Sequence, residues 1–113
     1  MRNPISIALL LLAFSLTPVA QACDYPAAVK IPDGKSATQE EITAASATVK
    51  KYLADLEAYN ACLDAEFAAL PVEQQTPEAT AMKNKKYNAT VDAMDAEALA
   101  FNEQLRAFKA AKK

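Results

Sequence analysis

The chain has 113 residues, a formal net charge of -2 and no histidine. Without histidine, Ser-His and Cys-His catalytic pairs cannot form, and zinc loses its commonest nitrogen ligand. The mildly acidic balance includes no basic patch, which argues against nucleic acid as a partner. A single glycine and abundant alanine favour helix. We therefore expect a helical protein without catalytic activity, metal or cofactor.

Residues 1–22 are typical of a secretory signal peptide. Arg2 gives a positive start, and the apolar run over residues 5–16 is shorter than a membrane-spanning helix requires. The run Ala20-Gln21-Ala22 places small residues at both positions that a signal peptidase reads. The sequence therefore predicts export to the periplasm and a mature chain that begins at Cys23.

Cys23 and Cys62 are the two cysteines of the chain, and they predict a disulfide because an even pair in an exported protein most simply forms one. The alternative is lipoprotein processing, in which Cys23 is acylated and the protein is held on a membrane. Ala20 stands where a lipid signal usually has an aliphatic residue, and lipidation would leave Cys62 as a lone thiol. The disulfide is therefore the favoured interpretation.

Residues 23–37 are expected to form an extended tether, because Pro26, Pro32 and Gly34 are incompatible with a helix. The tether can span up to roughly 50 Å at ~3.3 Å per residue. Cys62 lies about 36 Å along the following helix at ~1.5 Å per residue. Cys23 can therefore reach Cys62 only if the tether lies back along that helix.

Residues 38–70 have the strongest helical pattern in the chain. Thr38 followed by Glu41 forms a capping box, and Pro71 ends the helix. Apolar residues recur with alternating spacings of four and three, which draws one stripe down the helix. The stripe comprises Ile42, Ser46, Val49, Leu53, Leu56, Asn60, Leu63, Phe67 and Leu70.

A connection over residues 71–76 leads to a second helix over residues 77–111. Thr76 is the cap of this helix, and Pro77 is its first helical residue. Its stripe comprises Asn84, Tyr87, Val91, Met94, Ala98, Phe101, Leu105 and Phe108. Two matched stripes and a short connection predict an all-α fold: an antiparallel, coiled-coil-like two-helix hairpin over residues 38–113, in which Leu56 meets Val91. The disulfide would clamp the extended N-terminal segment to the first helix.

Two sets of residues are candidates for an interaction surface. Tyr52 and Tyr59 lie on the flank where the tether must run, so they are expected to be half-buried beneath it, or to form an aromatic binding patch if the tether lifts. Small-residue stripes on both helices suggest a homodimer or the docking of another envelope protein. Their candidate residues are Ala54, Ala61, Ala93 and Ala100. Alternatively, alanine merely fills exposed helical positions because it propagates helix well.

Several segments of the chain resemble uncharacterised small exported proteins of proteobacteria. They are Cys23-Asp24-Tyr25-Pro26, Ile31-Pro32-Asp33-Gly34, Tyr52-Leu53, Glu57-Ala58-Tyr59, Cys62-Leu63 and the stretch from Phe101 to Phe108. The resemblance implies a periplasmic setting and transfers no activity. The architecture also invites comparison with helical periplasmic chaperones, but their Leu-Thr-x-x-Gln motif is missing.

Two functions are consistent with these features. The first is an exported structural or interaction protein that binds another envelope protein, or itself, through its helix faces. The alternative is a chaperone-like or stress-related periplasmic protein that binds unfolded chains. A broad, mobile apolar surface would favour the second function, whereas binding of one defined partner would favour the first.

Overall fold

The structure is a computed structural model that describes residues 22–113. In this region the chain forms helix α1 (Gln39–Ala68), a short 3-10 turn (Val72–Gln74) and helix α2 (Pro77–Ala111), with no β-strand. The two helices pack against each other as a hairpin, and a disulfide joins the N-terminal segment to α1. The expected fold class is therefore confirmed, while nearly all of the predicted signal peptide lies outside the described residues.

Both helices begin at caps that the sequence encodes. Thr38 Oγ1 accepts a hydrogen bond from the backbone N–H of Glu41 at 3.2 Å, and Glu41 Oε2 accepts one from the backbone N–H of Thr38 at 2.8 Å. This reciprocal capping box satisfies two donors that the first turn would otherwise leave free. In α2, Thr76 Oγ1 accepts from the backbone N–H of Ala79 at 3.1 Å, and Pro77 occupies the first turn.

The core of the hairpin lies along one face of α1. Its buried residues are Ile42, Ala45, Val49, Tyr52, Leu56, Asn60 and Leu63. Leu56 is fully buried at the centre, as the periodic pattern predicts. Ser46 and Leu53, which the pattern also assigns to the seam, are only half-buried, and their places are taken by Ala45 and Tyr52. The buried face of α1 therefore keeps five residues of the predicted stripe and is shifted toward the flank that carries Ala45 and Tyr52.

Helix α2 is rotated from its predicted stripe in the same way. Thr90 is fully buried at the centre of the helix and donates its hydroxyl proton to the carbonyl oxygen of Lys86 at 2.9 Å. Val91, which the sequence places opposite Leu56, is 38% exposed. Val91 therefore lies at the edge of the seam, and Thr90 occupies the buried centre of α2. Thr90 can occupy the seam because its hydroxyl is satisfied within its own helix.

The tether explains the rotation of both helices, because it adds a third element to the packing. Cys23 is bonded to Cys62 with a Cα–Cα distance of 5.8 Å, across a sequence separation of 39 residues. From there the chain runs without helix or strand to a turn over residues 34–36 that leads into α1. Within that turn the side chain of Asp33 accepts a hydrogen bond from the backbone N–H of Lys35 at 3.0 Å. The predicted disulfide and the extended course of the tether are confirmed.

Candidate interaction surfaces

The hairpin has two unlike sides, which we define by the position of the tether. The covered side is the side on which residues 23–37 lie against the helices. There, Pro26, Ala27 and Val29 line a cavity together with Thr48 and Tyr52 of α1. The open side is the opposite groove between α1 and α2, whose cavities are lined by helix residues without any contribution from the tether.

Gly34 fixes the far end of the tether to α2. Its backbone N–H donates a hydrogen bond to Gln104 Oε1 at 2.8 Å. A Cβ atom added at this position would lie 1.9 Å from the carbonyl oxygen of Gln104 and 2.9 Å from the backbone nitrogen of Phe108. The backbone of Gly34 does not adopt a positive φ. This glycine is therefore required by the close approach of the tether to α2 and not by its own conformation.

Three tyrosines meet on the covered side near the start of the tether. The rings of Tyr25 and Tyr59 pack edge-to-face with their centroids 5.1 Å apart. Tyr52 is only 6% exposed. Burial raises the pKa of the Tyr52 hydroxyl above its ordinary value, and the neighbouring Tyr25 and the carboxylate of Glu97 raise the pKa further. Of the two candidate anchors, Tyr52 is thus buried and Tyr59 half-buried, with Tyr25 of the tether against both.

The four candidate alanines do not form one surface. Ala54 and Ala61 are exposed on α1, whereas Ala93 and Ala100 are half-buried on α2. Residues three and four apart share a helix face, so Ala93 and Ala100 lie on the same face as Glu97, the neighbour of Tyr52 on the covered side. Ala61 instead lines a cavity on the open side. A single partner helix cannot contact all four residues while the tether is in place.

The open side holds a groove of about 400 Å³ near the middle of the hairpin. Its walls combine apolar and acidic residues. They are Glu57, Asn60, Ala61, Asp64, Tyr87, Val91, Met94 and Asp95. A second groove of about 440 Å³ follows nearer the start of α1 and the end of α2, where Ile42, Phe101 and Leu105 contribute apolar side chains. Both grooves follow the seam between the two helices.

A smaller cavity of about 180 Å³ lies where the hairpin turns. Leu63, Phe67, Leu70 and Met82 line it, and the ammonium of Lys83 lies 4.9 Å from the centre of the Phe67 ring. The same ammonium is 3.1 Å from a carboxylate oxygen of Asp64. Lys83 therefore closes this end of the seam by a cation–π contact and an ion pair, which accounts for its partial burial.

Sequence reasoning missed Gly34 and Gln104 as structural partners, although one signal was present. Gly34 is the sole glycine of the chain, and it lies in a segment that must return along the helices. A lone glycine at such a place indicates a close backbone approach as readily as a turn. Gln104 carries no comparable signal, because a polar residue on a helix ordinarily faces solvent.

Within residues 22–113, no group of three or more histidine, cysteine, aspartate or glutamate side chains could hold a metal ion. Neither helix of this region combines the length and the hydropathy that crossing a bilayer requires. The chain matches no family model, no curated protein and no solved structure. Its function must therefore be argued from its own residues.

Proposed function

We propose that the protein is an exported interaction protein, without catalytic activity, that binds an envelope protein or a second copy of itself through the open side of the hairpin. The observation that carries this proposal is the asymmetry of the two sides. The protein's own tether covers one groove between the helices, while the equivalent groove on the other side has no cover within residues 22–113. A small hairpin buries little surface by itself, so a partner on the open side would complete its core.

Export to the periplasm is supported by the disulfide and by the signal-like residues 1–22. Disulfides persist in oxidising compartments and are rare in the cytosol. The bond between Cys23 and Cys62 also bears on the lipoprotein alternative. It occupies the sulfur of Cys23 that lipidation would modify, so one molecule cannot carry both. The resemblance to small exported proteins of proteobacteria agrees with this location.

The exposed side chains on α2 support binding of a defined partner. Tyr87 and Val91 are 40% and 38% exposed beside the open-side groove. Tyrosine is favoured at interfaces because it offers a large apolar ring and a polar hydroxyl at low entropic cost. These side chains lie four residues apart on a regular helix, so they form a narrow row and not a broad mobile surface. A row of this kind fits one complementary helix better than many unfolded clients.

The covered side is a poorer candidate for binding. Tyr52 and Tyr59 would become available only if the tether left the hairpin, which requires loss of the disulfide or of the Gly34–Gln104 contact. The chaperone-like alternative needs such a release, or a much larger exposed apolar area. Both ends of the tether are fixed to the helices, which argues against a ready release.

Site-specific photocrosslinking in cells tests the proposal. A photoreactive amino acid replaces Tyr87 on the open side and, as a matched control, Lys51, which is exposed on the opposite flank of α1. We expect one discrete crosslinked product from position 87, lost when Val91→Glu is added, and none from position 51. Many products of varied size would favour the chaperone-like alternative. Equal products from both positions, or none from position 87, would overturn the proposal.

A further inference from the structure

One row of residues on α2 has the spacing of a helix-packing ridge. Tyr87, Val91, Asp95 and Leu99 follow at intervals of four, and the three apolar members are 40%, 38% and 56% exposed. Rows of this spacing form the ridges that interlock when two helices pack. No other element within residues 22–113 covers this ridge. Its single charged member, Asp95, also lines the open-side groove.

The groove beside the ridge has an acidic and incompletely satisfied lining. Glu57, Asp64 and Asp95 contribute carboxylates; Asp64 is paired with Lys83, whereas Glu57 and Asp95 form no ion pair within residues 22–113. Asn60 also lines the groove, is only 7% exposed, and has no hydrogen-bond partner for Oδ1 within that region. This oxygen is a buried acceptor without a partner in the wall of the groove. A positively charged side chain with several hydrogen-bond donors would therefore complement this lining.

The complementary group is on the same protein. Arg106 is the only arginine among residues 22–113, and it is exposed. It follows Asp95 by eleven positions, which places it about 16 Å further along α2 and within about 20° of the same direction. The ridge thus has a negative charge near its middle and a positive charge toward its end. An antiparallel copy of the ridge would bring each charge opposite its complement.

We propose that this face of α2 is a homodimer interface, in which Arg106 of each copy enters the acidic groove of the other at Asp95. This inference rests on the proposed function and names its partner as a second copy of the chain. A two-fold axis between residues 100 and 101 pairs Arg106 with Asp95 twice and brings the two Leu99 side chains close together. The guanidinium has five donors in a fork that matches a carboxylate, and Val91 and Met94 of the groove wall offer apolar surface for its aliphatic stem.

Sedimentation equilibrium of the purified, disulfide-bonded protein tests the homodimer. We expect the wild type to dimerise and the single variants Arg106→Asp and Asp95→Arg each to weaken dimerisation by about tenfold or more, since each places like charges in contact twice. An equimolar mixture of the two variants should recover dimers of wild-type affinity. In the mixed dimer, Asp at 106 meets Arg at 95, and the unchanged Arg106 meets the unchanged Asp95. Recovery in the mixture also shows that both variants fold.

Lys85→Asp is the matched control, because it makes the same change of charge on an exposed residue of α2 about 30 Å along the helix from Arg106. We expect this variant to dimerise like the wild type. A wild type that remains monomeric at high concentration would overturn the homodimer, and so would a mixture that fails to recover. In either case, a crosslink from position 87 to a different protein would still support the proposed function, so the two failures are distinguishable.

Discussion

The covered and open sides of the hairpin solve the same packing problem in different ways. On the covered side, the chain supplies its own third element, joined to α1 by a covalent bond and to α2 by the backbone of Gly34. On the open side, the groove keeps an amide oxygen on Asn60 that has no partner among residues 22–113, and α2 carries an exposed apolar row. The difference suggests that the covered side serves stability and the open side serves recognition.

Removal of the disulfide, which holds the tether on the covered side, should have the largest effect. The double variant Cys23→Ser, Cys62→Ala should lose about 4 kcal/mol of unfolding free energy, because the bond closes a loop of about forty residues. Urea denaturation of the variant and the wild type measures this difference. The helical circular dichroism should remain at low temperature. An unchanged midpoint would mean that the tether contributes nothing to the fold.

The second prediction compares the centre of the seam with its open edge. Leu56→Ala should cost about 3 kcal/mol, because it leaves a cavity at a fully buried site. Val91→Ala is the matched truncation at the edge and should cost less than about 1 kcal/mol, because Val91 is 38% exposed. The same denaturation experiment measures both. Equal losses would show that Val91 lies in the seam and that α2 is not rotated.

The third prediction tests the far end of the covered side. Gly34→Ala should cost about 2 kcal/mol, within the usual range for overpacking, because the added methyl group collides with the backbone of α2 at Gln104. Ser36→Ala, in the same turn, is the control and should be nearly neutral. Thermal unfolding followed by circular dichroism measures both variants. If Gly34→Ala unfolded at the wild-type temperature, the close approach of the tether would be disproved.

The smallest expected effect is a fall in stability at alkaline pH. Burial raises the pKa of Tyr52 in the folded protein, so above about pH 10 the unfolded chain gives up this proton more readily than the folded one. The contribution of Tyr52 is therefore complete below pH 10 and is lost as the pH rises through its folded pKa. Denaturation midpoints between pH 8 and 11 measure the fall.

Tyr52→Phe should flatten this pH dependence, because it removes the ionising hydroxyl and keeps the buried ring. Tyr59→Phe is the matched control on the same flank of α1 and should retain the fall. An identical pH profile for wild type and Tyr52→Phe would contradict the assignment of the alkaline sensitivity to Tyr52.

The elements of the fold could be predicted from the sequence because their signals are local. The capping box at Thr38 and the cap and proline at Thr76-Pro77 are encoded within a few residues. The disulfide followed from the cysteine count and the reach of the tether. The helical period predicts Leu56 in the seam, where it is fully buried. Each of these inferences needs only neighbouring residues or a chain length.

The rotation of the helices could not be predicted, because it depends on a third element packed from outside the pattern. Tyr52 and Thr90 are buried in place of Leu53 and Val91, which are more apolar. The spacing of apolar residues predicts that a segment is helical. When a tether packs on one flank of the helix, however, the buried face of the helix shifts toward that flank. The same shift explains why the four candidate alanines do not form one surface: Ala93 and Ala100 face the covered side.

The disulfide also gives the covered side a closed covalent ring. The ring includes the tether and most of α1, from Cys23 to Cys62, whereas all of α2 lies outside it. A single proteolytic cut between those two cysteines would therefore leave the fragments joined, with an intact mass increased by one water. A cut after Cys62 would release the C-terminal piece as a separate chain. Non-reducing mass analysis of a limited digest can thus distinguish cuts in the ring from cuts in the helix that carries the recognition face.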